Sequence, residues 1–243
     1  MKTYYADIGN TKMKVVQRVG EGWDLVMNST HEEAFSFLAE LLSSENDAEI
    51  VTATVRTDIL RGLESKFGSL HFKVLDRRNI PVGMLNYDTP ETLGMDRYLT
   101  ARGAYKIANK TSIVIDAGTA ITVDMIDDGG IFHGGVIMPG VDLLNQILKL
   151  RLPELPDPPF DIPLIWPGKS TLESIQWGVA GMVSAALRNY IHLYRESSNN
   201  RINLFLTGGD AGRVGKLIDP DLKCRLKPFL LFDGMLDLFQ QGQ

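Results

Sequence analysis

A single cysteine, Cys224, is found in the 243 residues. No intrachain disulfide can form. The thiol sits in Asp221-Leu222-Lys223-Cys224-Arg225-Leu226 with no base beside it, which suits a packing or surface residue better than a nucleophile. Blocks of lysine or arginine are missing and the formal net charge is -5. That balance argues against a polyanion groove, so no nucleic-acid partner and no anionic membrane partner are expected. No stretch approaches the apolar run needed to cross a bilayer. The opening Met1-Lys2-Thr3-Tyr4-Tyr5-Ala6-Asp7 carries no apolar leader, and a cytoplasmic protein is expected. The four histidines, His31, His71, His133 and His192, include no two at metal-ligand spacing, which speaks against a zinc site. There is no Gly-x-Ser-x-Gly elbow to anchor a hydrolase triad. Gly168-Lys169-Ser170-Thr171 imitates the end of a P-loop, but Pro163 stands where that motif needs glycine. The residues before it, Leu164-Ile165-Trp166-Pro167, belong to a proline-rich stretch and not to a buried strand.

What is present is ordinary globular material, 44% hydrophobic and 23% charged, enough for one large domain or two small ones. Its organisation is a repeat. Strands are expected over Thr3–Ile8, Lys12–Arg18 and Trp23–Met27, separated by glycine turns, and Thr30-x-x-Glu33 then caps a helix. A strand at Glu49–Ala53, a helix at Thr57–Phe67 and a strand at His71–Leu75 follow. The plan restarts with strands at Ser112–Asp116, Ala120–Ile126 and Ile131–Ile137. A helix carrying Leu143, Leu144, Ile147 and Leu148 comes next. Beyond a proline-rich connection over Leu152–Pro167, Ser170-x-x-Glu173 opens a long helix. Ile202–Leu206 reads as a strand, Phe229–Phe232 as another, and a last helix follows Asp233. Two lobes of one plan commonly face each other across a ligand cleft.

The chemistry-bearing residues recur with the repeat. Asp7-Ile8-Gly9-Asn10-Thr11 puts an acid at a strand end and a glycine turn after it. Such a turn can aim backbone N–H groups at phosphate oxygens, with Asp7 holding magnesium directly or through water and Lys14 adding a cation. Alone it reads as a plain hairpin, and the second copy changes that. Asp116-Ala117-Gly118-Thr119 repeats the order, and two acidic Gly-Thr turns can grip one polyphosphate. Thr207-Gly208-Gly209-Asp210 and Gly134-Gly135-Val136-Ile137-Met138-Pro139-Gly140 offer further close backbone approach, or simply tight packing. In Gly94-Met95-Asp96-Arg97, at or near a helix start, Asp96 is either half of a solvated ion pair with Arg97 or a general base for an attacking hydroxyl. In the second case Arg97 holds a substrate carboxylate or polar tail.

These five motifs, in their order along the chain and over nearly all of it, resemble type III pantothenate kinase. The resemblance implies an α/β chain of two duplicated actin-like, ribonuclease H-like lobes, each a mixed sheet flanked by helices, here residues 1–110 and 111–243. It implies transfer of the ATP γ-phosphate to pantothenate, giving 4'-phosphopantothenate, the first step towards coenzyme A. ATP would meet Asp7, Ile8, Gly9, Asn10, Thr11, Lys12, Met13, Lys14 and Thr119. Pantothenate would meet Tyr87, Gly94, Met95, Asp96, Arg97 and Thr171, with Asp96 as catalytic base. Asp116 would hold a monovalent cation, potassium or ammonium, beside the magnesium that accompanies ATP. The resemblance also implies a homodimer whose partner completes the pantothenate site. Met95 departs from the family's usual small residue, and the tail is short. A non-catalytic transcriptional accessory factor on the same fold, or a kinase for another small hydroxylated acid, stand as alternatives; intact Asp7, Asp96 and Asp116 favour catalysis.

Overall fold

A computed structural model describes residues 2–242. Its first three strands, β1 (Thr3–Ile8), β2 (Lys12–Val19) and β3 (Gly22–Thr30), form an antiparallel meander. Thr30 then caps α1 (His31–Ser44) with the complete reciprocal box: its side chain accepts from the Glu33 N–H, and the Glu33 carboxylate accepts from the Thr30 N–H. β4 (Glu49–Thr54), α2 (Thr57–Phe67) and β5 (Phe72–Val74) follow, with β4 parallel to β1 and β5 parallel to β4. The sheet order is β3-β2-β1-β4-β5.

After α3 (Met95–Ala108) the same plan is built again from β6 (Ser112–Ala117), β7 (Ala120–Ile126), β8 (Phe132–Pro139), α4 (Val141–Arg151), α5 (Thr171–Ser197), β9 (Asn203–Thr207), the short α6 (Ala211–Val214) and β10 (Cys224–Leu226). Its order is β10-β9-β6-β7-β8, with β6 antiparallel to β7 and parallel to β9. Reversed, this is the first sheet's order strand for strand, so the repeat seen in the sequence is a repeat of topology. Each sheet is mixed and each is flanked by helices. The last helix is α7 (Leu230–Gln241). With Phe229 as its N-cap it takes up Leu230–Phe232, where the apolar run reads as a strand, and the three-residue β10 carries no sequence signal of its own.

The chain divides into two compact units. One comprises Met1–Asn109, Gly130–His133 and Phe229–Gln243; the other comprises Lys110–Gly129 and Gly134–Pro228. In the first, Ile8, Met13, Val15 and Ile50 meet Leu38 and Leu63 of α1 and α2. Also in the first unit, α7 lies against α3, where Arg102 and Lys106 both pair with the buried carboxylate of Asp237. In the second, Ile113, Ile115, Val123 and Leu204 meet Val183 and Leu187 of α5. Central strands covered on both faces lose their alternation. β1 and β6 are therefore almost continuously apolar up to their acidic ends.

Candidate active site

In the first unit β1 delivers Asp7 at its penultimate position, half-buried and opposite Lys14 of β2. The Gly9 N–H donates to the Lys12 carbonyl at 3.0 Å, closing a hairpin whose tip is Asn10 and Thr11. Ile8 and Met13 are fully buried. Their side chains anchor the hairpin, and only their backbone is placed to meet a ligand.

Asp96 is the second residue of α3. The Arg97 N–H donates to its Oδ1 at 2.9 Å, and the Thr100 hydroxyl donates to its carbonyl at 2.6 Å. A Cβ on Gly94 would collide with the Asp96 carboxylate and come within 3.9 Å of Val55. Glycine thus lets the carboxylate fold over the helix start, where the unpaired N–H groups of a first turn favour an anion. Val55 in turn donates its N–H to the Ile8 carbonyl at 3.3 Å. Asp7 and Asp96 are therefore at the same end of the first sheet.

Arg97 is only 8% exposed, which rules out a solvated ion pair. Its guanidinium lies 6.0 Å from the Tyr87 ring centroid and 5.9 Å from that of Phe132, and Nη1 donates to the Tyr87 hydroxyl at 3.4 Å. Tyr87 is set by a bridge between Leu85 and Phe132, and its neighbour Asn86 meets His133 at 3.0 Å between Nδ2 and Nδ1. Met95, by contrast, is a core side chain at 6% exposure.

In the second unit Asp116 takes the matching place at the end of β6, half-buried. The turn is one residue tighter than the first: the Gly118 N–H donates to the Ala120 carbonyl at 3.0 Å. Thr119 is exposed at its tip. Two glycine segments converge there. The Gly140 N–H, at the start of α4, donates to the Thr119 carbonyl at 3.0 Å, and the Asp210 N–H donates to the Ala117 carbonyl at 2.8 Å. Gly208, at φ 96°, has no room for a Cβ, which would strike the Ala117 carbonyl and the Asp116 carboxylate. Arg213 bridges Asp210 and Asp142 at 3.0 and 2.7 Å, and its hydrogen bond holds the Asp142 carboxyl below the usual range.

Thr171 is the exposed first residue of α5. Ser170 caps it by accepting the Glu173 N–H, but the Glu173 carboxylate returns to the Lys169 N–H and so leaves the box half made. Thr171 lines a groove of about 430 Å³ with Leu144, Ile147, Leu148 and Ile175, away from the polar turns of this unit. Sequence reasoning passed over His31 and Arg56, whose side chains reach the carbonyls of Gly9 and Asn10, and over Asn86 and His133 beside Tyr87. Their partners lie 22 to 47 positions away, so no local pattern marks them.

The comparisons with known proteins agree with this layout. The chain is similar to MreB 5 of Spiroplasma citri, with a TM-score of 0.51 at 10% identity, covering 99% of this chain and 96% of that one. It is also similar to a Baf family protein of Campylobacter jejuni described as a transcriptional activator. There the TM-score is 0.67 at 20% identity, covering 98% of both chains. Identities this low establish the fold alone, the actin-like ATPase fold. In sequence, a type III pantothenate kinase of Azotobacter vinelandii is 28% identical over 249 aligned positions, covering 94% of this chain and 95% of that protein. The family model for type III pantothenate kinase matches residues 4–193, most of the chain, and the chain belongs to that family.

Proposed function

We propose that the chain phosphorylates the primary hydroxyl of pantothenate with ATP, the reaction its family is named for, and that the residues of the first unit carry the transfer. The observation that carries this reading is the gathering, at one end of the first sheet, of an acidic glycine hairpin, a carboxylate at a helix start and an aromatic-flanked arginine. The hairpin from Asp7 to Lys14 suits the phosphates of ATP. Asp96 is the base that takes the hydroxyl proton as the oxygen attacks. Arg97, flanked by Tyr87 and Phe132, suits the carboxylate of pantothenate, with Tyr87 offering its hydroxyl and Gly94 and Met95 their backbone. Phosphoryl transfer needs little covalent help from a protein, so positioning and charge stabilisation carry most of the rate.

Among the described residues no three His, Cys, Asp or Glu gather into a metal site. That fits magnesium, which is ordinarily held by one or two carboxylates, substrate phosphates and water, here with Asp7 as the protein ligand. Bound there, magnesium would neutralise charge on the transferring group. Asp116, a hard oxygen donor at the end of β6, suits potassium or ammonium, and Thr119 suits ATP. Thr171 and the apolar groove beside it support a homodimer whose partner helps to hold pantothenate. No described helix is long and apolar enough to cross a membrane, and we assign the reaction to the cytoplasm.

The test is ADP release coupled to pantothenate in potassium or ammonium buffer, for the wild type and Asp96→Asn. The variant keeps shape and one hydrogen bond but cannot take the proton. Its kcat should fall by about a hundred- to ten-thousandfold while nucleotide affinity stays. Near-normal turnover removes Asp96 from the mechanism, and a wild type that consumes no ATP with pantothenate removes the reaction itself.

A further inference from the structure

Three successive carbonyls of the first hairpin are tied from outside it. The Ile8 carbonyl accepts from the Val55 N–H and from the Thr54 hydroxyl, each at 3.3 Å. The Gly9 carbonyl lies 3.0 Å from His31 Nε2. A carbonyl oxygen only accepts, so that nitrogen carries the hydrogen. The Asn10 carbonyl accepts from Arg56 Nη1 at 3.1 Å. Arg56 is itself fixed by a two-pronged pair with Asp58, Nε to Oδ1 at 2.8 Å and Nη2 to Oδ2 at 2.6 Å, which leaves Nη1 for the hairpin.

A trans peptide is planar, and its C=O and N–H point in opposite directions. Tying the carbonyls of residues 8, 9 and 10 therefore fixes the directions of the N–H groups of residues 9, 10 and 11. The Gly9 N–H closes the hairpin. His31 and Arg56 set the planes of the other two, at an exposed tip. Every plane that must be ordered on binding weakens a ligand's affinity, and a plane already ordered does not.

From this geometry we infer that His31 and Arg56 are positioning residues for the nucleotide. They act through the backbone, pre-aiming the N–H groups of Asn10 and Thr11 at phosphate oxygens, so they govern the affinity for ATP and leave that for pantothenate alone. The inference rests on the hairpin being the phosphate loop.

His31→Leu removes the donor at similar bulk, whereas His31→Gln keeps an N–H donor; neither adds a charge. Steady-state kinetics should give His31→Leu a KM for ATP raised about fivefold, an unchanged KM for pantothenate, and a return to within about twofold of wild type in His31→Gln. Arg56→Met should raise the ATP constant about tenfold, since a charge-assisted bond is lost. Calorimetry with Mg·ADP should rank the variants in the same order. An unchanged ATP constant in both His31→Leu and Arg56→Met overturns the inference, as does a parallel rise in both substrates' constants, which marks a merely structural role. A wild type that binds Mg·ADP but ignores pantothenate defeats the substrate assignment, while the calorimetric order still decides the clamp. A wild type that binds no nucleotide defeats both.

Discussion

Replacing Gly234 by alanine tests whether the helix bearing Asp96 and Arg97 is held by direct backbone contact. α7 crosses α3 so closely at this point that a Cβ on Gly234 would enter the Leu99 carbonyl and lie 3.1 Å from the Gly103 nitrogen. The neighbours are main-chain atoms of a helix, which cannot swing aside as a side chain can. Alanine favours a helix over glycine by about 1 kcal/mol, and overpacking a tight contact costs about 1–3 kcal/mol or more. With rigid atoms on the far side the upper end applies, and the net loss is about 2 kcal/mol. In a chain of this size that lowers Tm by roughly 4–8 °C. Gly181 supplies the control. It lies in α5 with nothing within 4 Å of its added Cβ, so the same substitution there should raise stability by up to about 1 kcal/mol. Thermal and urea unfolding of both variants measures the difference directly. The reasoning is refuted if Gly234→Ala is as stable as wild type, or if the two substitutions shift Tm in the same direction. Because Asp96 and Arg97 begin the displaced helix, Gly234→Ala should also lose turnover at temperatures where it is still folded.

Three further outcomes are expected. Burial raises the pKa of Asp237, but hydrogen bonds from Lys106 and Arg102 outweigh it and the net shift is downward. Its stabilisation is therefore present above the ordinary value of 3.8 and is lost as pH falls through the lower folded value. Asp237→Asn should cost roughly 3 kcal/mol near neutrality, with the gap to wild type closing in acid; a gap independent of pH would refute it. Burial pushes the Cys224 thiol up to about 11, and it is the only cysteine, so a thiol reagent reads it alone. Its modification of the folded chain near pH 8 should be about tenfold or more slower than that of a free thiol and should accelerate with pH; reaction at the free-thiol rate would contradict that burial. Replacing sodium by potassium or ammonium should raise turnover if Asp116 holds the monovalent cation, and equal rates in all three would count against it.

The parts of the fold that are legible in the sequence share a physical cause: their signal is local. Strand, acid, glycine and threonine stand side by side at Asp7 and again at Asp116, and both strand ends fall where that pattern puts them. Phe229–Phe232 misleads because four residues are too few to separate an apolar strand from a helix start. Phe232, Met235 and Leu238, all buried in α7, recur at helical spacing and decide it. The glycine segments around Gly140 and Gly208 are visible as motifs, but their shared destination beside Asp116 is not, because contact rather than spacing brings them there.

Arg97 shows why site chemistry is harder to read than site location. An arginine after an aspartate has one sequence signature and two physical fates. In water the pair is worth little, and the guanidinium is interchangeable with many other polar groups. Removed from water and set against aromatic faces, the same guanidinium is a strong and oriented anchor for an anion. The deciding partner, Phe132, lies 35 positions on, in a strand whose first residues join the first unit through the bridge at Leu85. No window along the chain holds both residues. Burial of Arg97 follows from that long-range pairing, and so does the means of separating the two fates. Phe132→Leu keeps the arginine and its neighbouring carboxylate but removes one aromatic face, so the KM for pantothenate should rise, and an unchanged KM would refute the anchor reading.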